Sequence, residues 1–126
     1  MQTLQELTKD ISCITLTKAI VKCHLHNLKL IARINRTNDR SLFENELESR
    51  EIKSISKLKE QCEDYVERVQ LALDSLTIVH RDILIEEFYH NRRGHQYHHY
   101  SRSSFYRYRK QACQQFVEAF NSYDNE

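Results

Sequence analysis

An all-α fold is predicted from three features of the sequence. There is one glycine and no proline in 126 residues, and these two residues are the strongest punctuation that a turn-rich β fold needs. Apolar residues recur at three- and four-residue steps through most of the chain, which is the period of one buried helix face. The polar breaks between these runs are few and short. The length allows one domain, or a small domain with a helical extension, and enough apolar surface to form a core without disulfides or structural metal. The expected architecture is a long helical hairpin over residues 1–68 followed by a second helical unit over residues 69–126.

The first helical region opens at Thr3-x-x-Glu6, a candidate capping box, and continues through Leu4, Leu7, Ile11, Ile14, Ala19 or Ile20, Leu28, Ile31 and Ile34. β-Branched residues between Ile11 and Val21 favour helix less than straight side chains do, so one long helix and two shorter ones are both compatible with the pattern. Residues 1–36 carry six Lys/Arg (Lys9, Lys18, Lys22, Lys29, Arg33, Arg36) against Glu6 and Asp10. This region is basic.

A polar break at Arg36-Thr37-Asn38-Asp39-Arg40 precedes Ser41-x-x-Glu44, the better placed of the two capping boxes. Leu42, Phe43, Leu47, Ile52, Ile55, Leu58, Cys62, Tyr65 or Val66, Val69, Leu73 and Leu76 then keep a helical rhythm, weakest at Glu48-Ser49-Arg50, where a kink is admissible. Nine acids against five bases between Asp39 and Glu67 give this region the opposite charge bias to the first. An antiparallel hairpin is the simplest way to join two amphipathic helices of opposite bias by a short polar turn. The hairpin suits a dimerisation or partner-binding arm, and equally a packing support for the C-terminal unit.

Ile83, Leu84, Phe88 and Tyr89 mark a further short helix, which Thr77 can cap and Gly94 can terminate. The last helix is expected over about 103–120. Ser101, Ser103 and Ser104 offer side-chain oxygens to the free N–H groups of its first turn. Phe105, Tyr108, Ala112, Phe116 and Ala119 or Phe120 share its apolar face, and Ser104, Tyr106, Arg107, Lys110 and Gln111 lie opposite, with Arg109 at the flank. Between His90 and Cys113 there are six Lys/Arg (Arg92, Arg93, Arg102, Arg107, Arg109, Lys110), four histidines and no acid. A merely solvated face mixes signs, so this run in a chain of formal net charge +1 points to a polyanion.

Leu73-x-x-Leu76, Arg81-x-Ile83-Leu84, Phe88-Tyr89, Tyr100-Ser101 and then Phe105, Tyr108, Ala112 and Phe116 together resemble region 4 of bacterial sigma factors. More closely, YSRSSFYRYRKQACQQFVEAF from Tyr100 to Phe120 resembles the small regulators of the autolysin-regulatory-protein (ArpU) type, found in phages and prophages of low-GC Gram-positive bacteria. The resemblance covers roughly Val69 to Phe120. It implies a sigma region 4-like helix-turn-helix after the hairpin, with the last helix in the major groove, and a sequence-specific regulator of transcription of phage or prophage genes. Its partners would be double-stranded DNA and, less directly, RNA polymerase, with a homodimer through the N-terminal helices also open. One departure is that His95-Gln96-Tyr97-His98-His99-Tyr100 lacks the apolar-Ala-x-x-Leu pattern of a standard first motif helix.

Carried over, Ser101, Arg102, Ser103, Ser104, Tyr106, Arg107 and Arg109 fall on turn and exposed positions that meet DNA in the family. Arg107 is the candidate for a base edge and Arg102 for a phosphate, with Lys110, Arg92 and Arg93 as peripheral phosphate contacts. The alternative is a helical protein-interaction adaptor without specific DNA binding.

Other chemistries find less in the sequence. His90, His95, His98 and His99 with Cys113 contain ligand types for zinc, but at no recognisable structural spacing, so no metal or other cofactor is expected. The pair around Cys23-His24-x-His26 is weaker still. No glycine-rich phosphate loop, nucleophile elbow or isolated acid pair occurs, so no enzyme is expected. A complete sigma factor would need promoter-melting aromatics, yet Phe43 is the one aromatic before Tyr65. The four cysteines (Cys13, Cys23, Cys62, Cys113) form no Cys-x-x-Cys pair and read as reduced thiols in helices. With a polar start, MQTLQELTKD, and no apolar run of spanning length, the expected location is cytoplasmic, away from membranes.

Overall fold

A computed structural model describes residues 12–38, 49–90 and 100–123. Among them are four α-helices, one π-helical turn and no strand: α1 (Cys13–Asn38), α2 (Ser49–Asp74), α3 (Ile78–Leu84) running into the π turn (Ile85–Tyr89), and α4 (Arg102–Ser122). The all-α expectation holds. Both candidate capping boxes, at Thr3 and Ser41, lie outside the described residues, as does Gly94.

Helix α1 is unbroken through its β-branched stretch. Ser12 caps it, its hydroxyl accepting from the Ile14 N–H at 3.1 Å. The hydroxyl of Thr17, which has no exposed surface, donates to the Cys13 carbonyl one turn back at 2.7 Å, so a buried polar side chain is satisfied within the helix itself. Helix α2 is continuous from Ser49 to Asp74, and Glu48, in the stretch of weakest rhythm, lies outside the described residues. The two helices are antiparallel. The start of α1 meets the end of α2, with Val21 packed among Val69, Ala72, Leu73 and Leu76 and the Tyr65 hydroxyl donating to the Ile20 carbonyl at 3.4 Å.

Helix α4 packs on all three of the others. Its buried face is Phe105, Ala112, Cys113, Phe116, Val117 and Phe120, and Phe116 and Phe120 join Val21, Val69, Leu73, Leu76 and Leu84 in one core. Arg68 closes the far end of α4. Its Nε–H donates to the Phe120 carbonyl at 2.8 Å and its guanidinium lies 3.6 Å from the centre of the Phe120 ring, joining a C-terminal carbonyl contact to a cation–π contact. The expected boundary between residues 68 and 69 falls inside the continuous helix α2, and residues on both sides of it contribute to shared packing. Hairpin and C-terminal unit are therefore joined by one helix and one core. Among the described residues no helix is long and apolar enough to cross a membrane.

Candidate nucleic-acid interface

The candidate residues described here lie on α4, and a serine sets where that helix starts. Ser101 is extended (φ −61°, ψ 157°), and its side chain accepts from the Ser104 N–H at 3.2 Å while its carbonyl accepts from the Phe105 N–H at 2.9 Å. The Ser101 hydroxyl also donates to the Ser104 hydroxyl at 2.8 Å. The helix therefore starts at Arg102, one residue before the expected position, with Phe105 anchored in the core one turn in.

Arg102, Ser103, Tyr106, Arg107 and Lys110 are all exposed; the helical period turns Ser103, Arg107 and Lys110 away from Phe105, Ala112 and Phe116, while Arg102 and Tyr106 are exposed at the first turns of the helix, and Ser104, in its capping bond, is half-buried. Arg102, Tyr106 and Lys110 form one row at four-residue steps, and Ser103, Arg107 and Lys110 form the adjacent one. The Arg102 guanidinium lies 5.8 Å from the Tyr106 ring centre and that of Arg107 lies 5.3 Å from the Tyr108 ring centre. Both distances are within the reach of a cation–π contact. No acid occurs in α4 before Glu118. The positive end of the helix dipole adds to these cations. The face can therefore bind phosphates and offer planar donors to base edges. Arg92 and Arg93 lie outside the described residues.

Arg109 belongs elsewhere. It is four residues after Phe105 and three before Ala112, which puts it on the inward side, and its side chain retains 20% exposure. Its Nη1 donates to Glu87 Oε1 at 2.8 Å, and the Glu87 side chain is 3% exposed. The resemblance placed Arg109 among the DNA contacts; the structure instead uses it to neutralise a buried carboxylate. Its guanidinium also lies 4.8 Å from the Tyr106 ring centre, so the ion pair backs the exposed face from below.

The π turn supplies that carboxylate. The His90 N–H donates to the Ile85 carbonyl at 3.0 Å, a five-residue step, and the turn carries Glu87 into the interior with Phe88 and Tyr89 packed on the core. Tyr89 meets α1. Its hydroxyl and His24 Nδ1 are 2.7 Å apart and the rings stand edge to face. Burial lowers the pKa of His24 and raises that of Tyr89, so each is held neutral in the fold. His24 is thus a core residue.

Helix α3 positions the flank of α4. Thr77 caps it as expected, its side chain accepting from the His80 N–H at 3.4 Å. His80 Nδ1 reaches Gln115 Oε1 at 2.7 Å and its ring lies against Tyr108, which Tyr100 also meets edge to face. Of the residues weighed as zinc ligands, His90 is engaged with Glu86 at 3.2 Å. Cys113 is buried, and that burial pushes the pKa of its thiol up to about 11. His95, His98 and His99 lie outside the described residues.

Sequence reasoning missed the Glu87–Arg109 and His24–Tyr89 pairs, which join residues 22 and 65 positions apart. The signals were present in part. Glu87 follows Ile83 by four residues on an apolar face, and a charge at such a position asks for a buried partner. No family model, curated protein or solved structure matches this chain.

Proposed function

We propose that this protein is a sequence-specific, DNA-binding regulator of transcription, acting on phage or prophage genes and inserting α4 into the major groove. The observation that carries the reading is the outward face of Arg102, Ser103, Tyr106, Arg107 and Lys110 at the capped start of a helix whose other face is locked into the core. A groove-reading helix needs a rigid attachment, donors within its first turns and no acid among those turns to repel phosphate, and α4 has all three, its one acid being Glu118 near the far end. Arg107 is assigned to a base edge, Arg102 and Lys110 to phosphates, and Arg109 to holding the helix in place through Glu87. The resemblance to ArpU-type regulators supplies the link to transcription, with RNA polymerase as the second partner.

The test is selection of bound duplexes from a random DNA pool, which reads binding and preference together. An enriched motif is expected. Binding of every sequence alike would remove the regulator reading, and no retention on DNA at moderate salt would leave the face to a protein partner.

A further inference from the structure

Helix α1 carries a second cationic surface that the α4 reading does not use. Between Cys13 and Asn38 there are five Lys/Arg and no Asp or Glu. Lys18, Lys22, Lys29 and Arg36 are exposed, as is Arg33. Their spacings of four, seven, four and three residues place all five within an arc of roughly 60° over about 27 Å of helix. The side of α1 that carries Thr17, Val21 and His24 is buried against the rest of the fold, so the stripe points away from the core.

We infer that this stripe is a rail for the phosphate backbone of a nucleic acid, separate from the base-reading face of α4. The inference rests on the same nucleic-acid partner but not on base readout. Three observations select that partner. A face that only keeps a helix soluble mixes signs, whereas this one is of a single sign along its length. The exposed acids Glu60, Glu63, Asp64 and Glu67 lie on the side of α2 opposite Cys62 and Val69, so negative charge is kept on the outer side of the other helix. Thr17, Val21, His24 and Ile34 of α1 are buried, and of its large apolar side chains only Leu25 and Leu28 are exposed, at 40% each, which leaves too narrow an apolar face for an amphipathic helix to sink into a lipid surface. A second copy could set its α2 acids against the stripe, but exposed lysine–carboxylate pairs contribute little, while each phosphate neutralised on a duplex releases counterions.

The experiment measures the salt dependence of affinity for a 25-base-pair duplex of random sequence, and for the selected motif, with the full chain. Replacing Lys18, Lys22, Lys29 and Arg36 together by Gln keeps helix propensity and removes four charges. The slope of log K against log salt should become shallower by roughly 3 to 4, since each phosphate contact contributes about 0.9. Preference for the selected motif should be unchanged. A companion variant, Lys18, Lys22 and Lys29→Arg, should keep the parent slope, and circular dichroism verifies that both fold. An unchanged slope in the Gln variant overturns the inference even if the motif is still preferred. If the slope stays the same but self-association by sedimentation is lost, the stripe meets a second copy and the inference is again wrong. A shallower slope without any preferred motif supports the rail while removing the base-reading assignment of α4.

Discussion

Removing Arg109 should destabilise the fold before it affects any ligand. Glu87 is nearly inaccessible, its Oε1 accepts from Arg109 at 2.8 Å, and its Oε2 and the Arg109 Nε find no other partner. The pair is therefore one-pronged, and each charge depends on the other. Arg109→Ala leaves a carboxylate in the interior with its counter-charge gone, a change that costs about 3–5 kcal/mol. For a chain of this size that lowers Tm by about 10–20 °C. Glu87→Gln should cost less, about 1–3 kcal/mol, because the partly exposed guanidinium can turn toward water. Replacing both residues, as Glu87→Leu with Arg109→Met, should recover most of the loss, since packed apolar side chains equal or better a buried ion pair. Urea unfolding of the two single variants and the double variant closes a double-mutant cycle. If Arg109→Ala costs less than about 1 kcal/mol, or the double variant is as unstable as the worse single one, the pair does not hold α4 in place. Arg109 would then return to the group of surface cations.

Three further outcomes concern the core and the thiols. Phe116→Ala should cost about 3–5 kcal/mol, because Phe116 is fully buried among residues of every helix it touches; an unchanged Tm would mean that the inward face of α4 is misassigned. The His24 pKa is lowered by burial, so the fold excludes a proton that the unfolded chain accepts below about pH 6.5. Stability attributable to His24 is therefore full above that pH and is lost as pH falls, and His24→Gln should flatten the Tm profile between pH 7.5 and 5.5; parallel profiles would contradict this. Among the thiols, exposed Cys23 should be alkylated first and half-buried Cys13 next, while Cys62 and Cys113 should react only on unfolding, as read by mass spectrometry of partly labelled protein.

What could be seen in the sequence was whatever depends on near neighbours. Low glycine, absent proline and a steady 3.6-residue period gave the helices, and Thr77 and the serines before Phe105 marked two starts to within a residue or two. The antiparallel hairpin was legible in a short polar break in the sequence between two amphipathic stretches of opposite charge bias. Ser12 was overlooked because it sits inside a β-branched run that reads as a continuation of helix. The π turn was not legible, since a single five-residue step leaves no mark in the apolar pattern. Arg109 shows the limit most clearly. The apolar pattern sets it only at the flank of the exposed face, and nothing local reveals a carboxylate 22 residues upstream, so charge and resemblance group it with Arg107.

The central claim is that the outer face of α4 reads bases, and Arg107 tests it most directly. It is exposed in the second turn, where a helix seated in the major groove meets base edges, and its fork suits guanine. The measurement is the affinity of Arg107→Ala for the selected motif, for every single-position variant of that motif and for an unrelated duplex, with Lys110→Ala alongside. Arg107→Ala should lose about 1–3 kcal/mol on the motif and relax preference at one position, while Lys110→Ala weakens all duplexes alike. Equal weakening of motif and unrelated DNA by Arg107→Ala would make Arg107 a phosphate contact and contradict base readout by this residue.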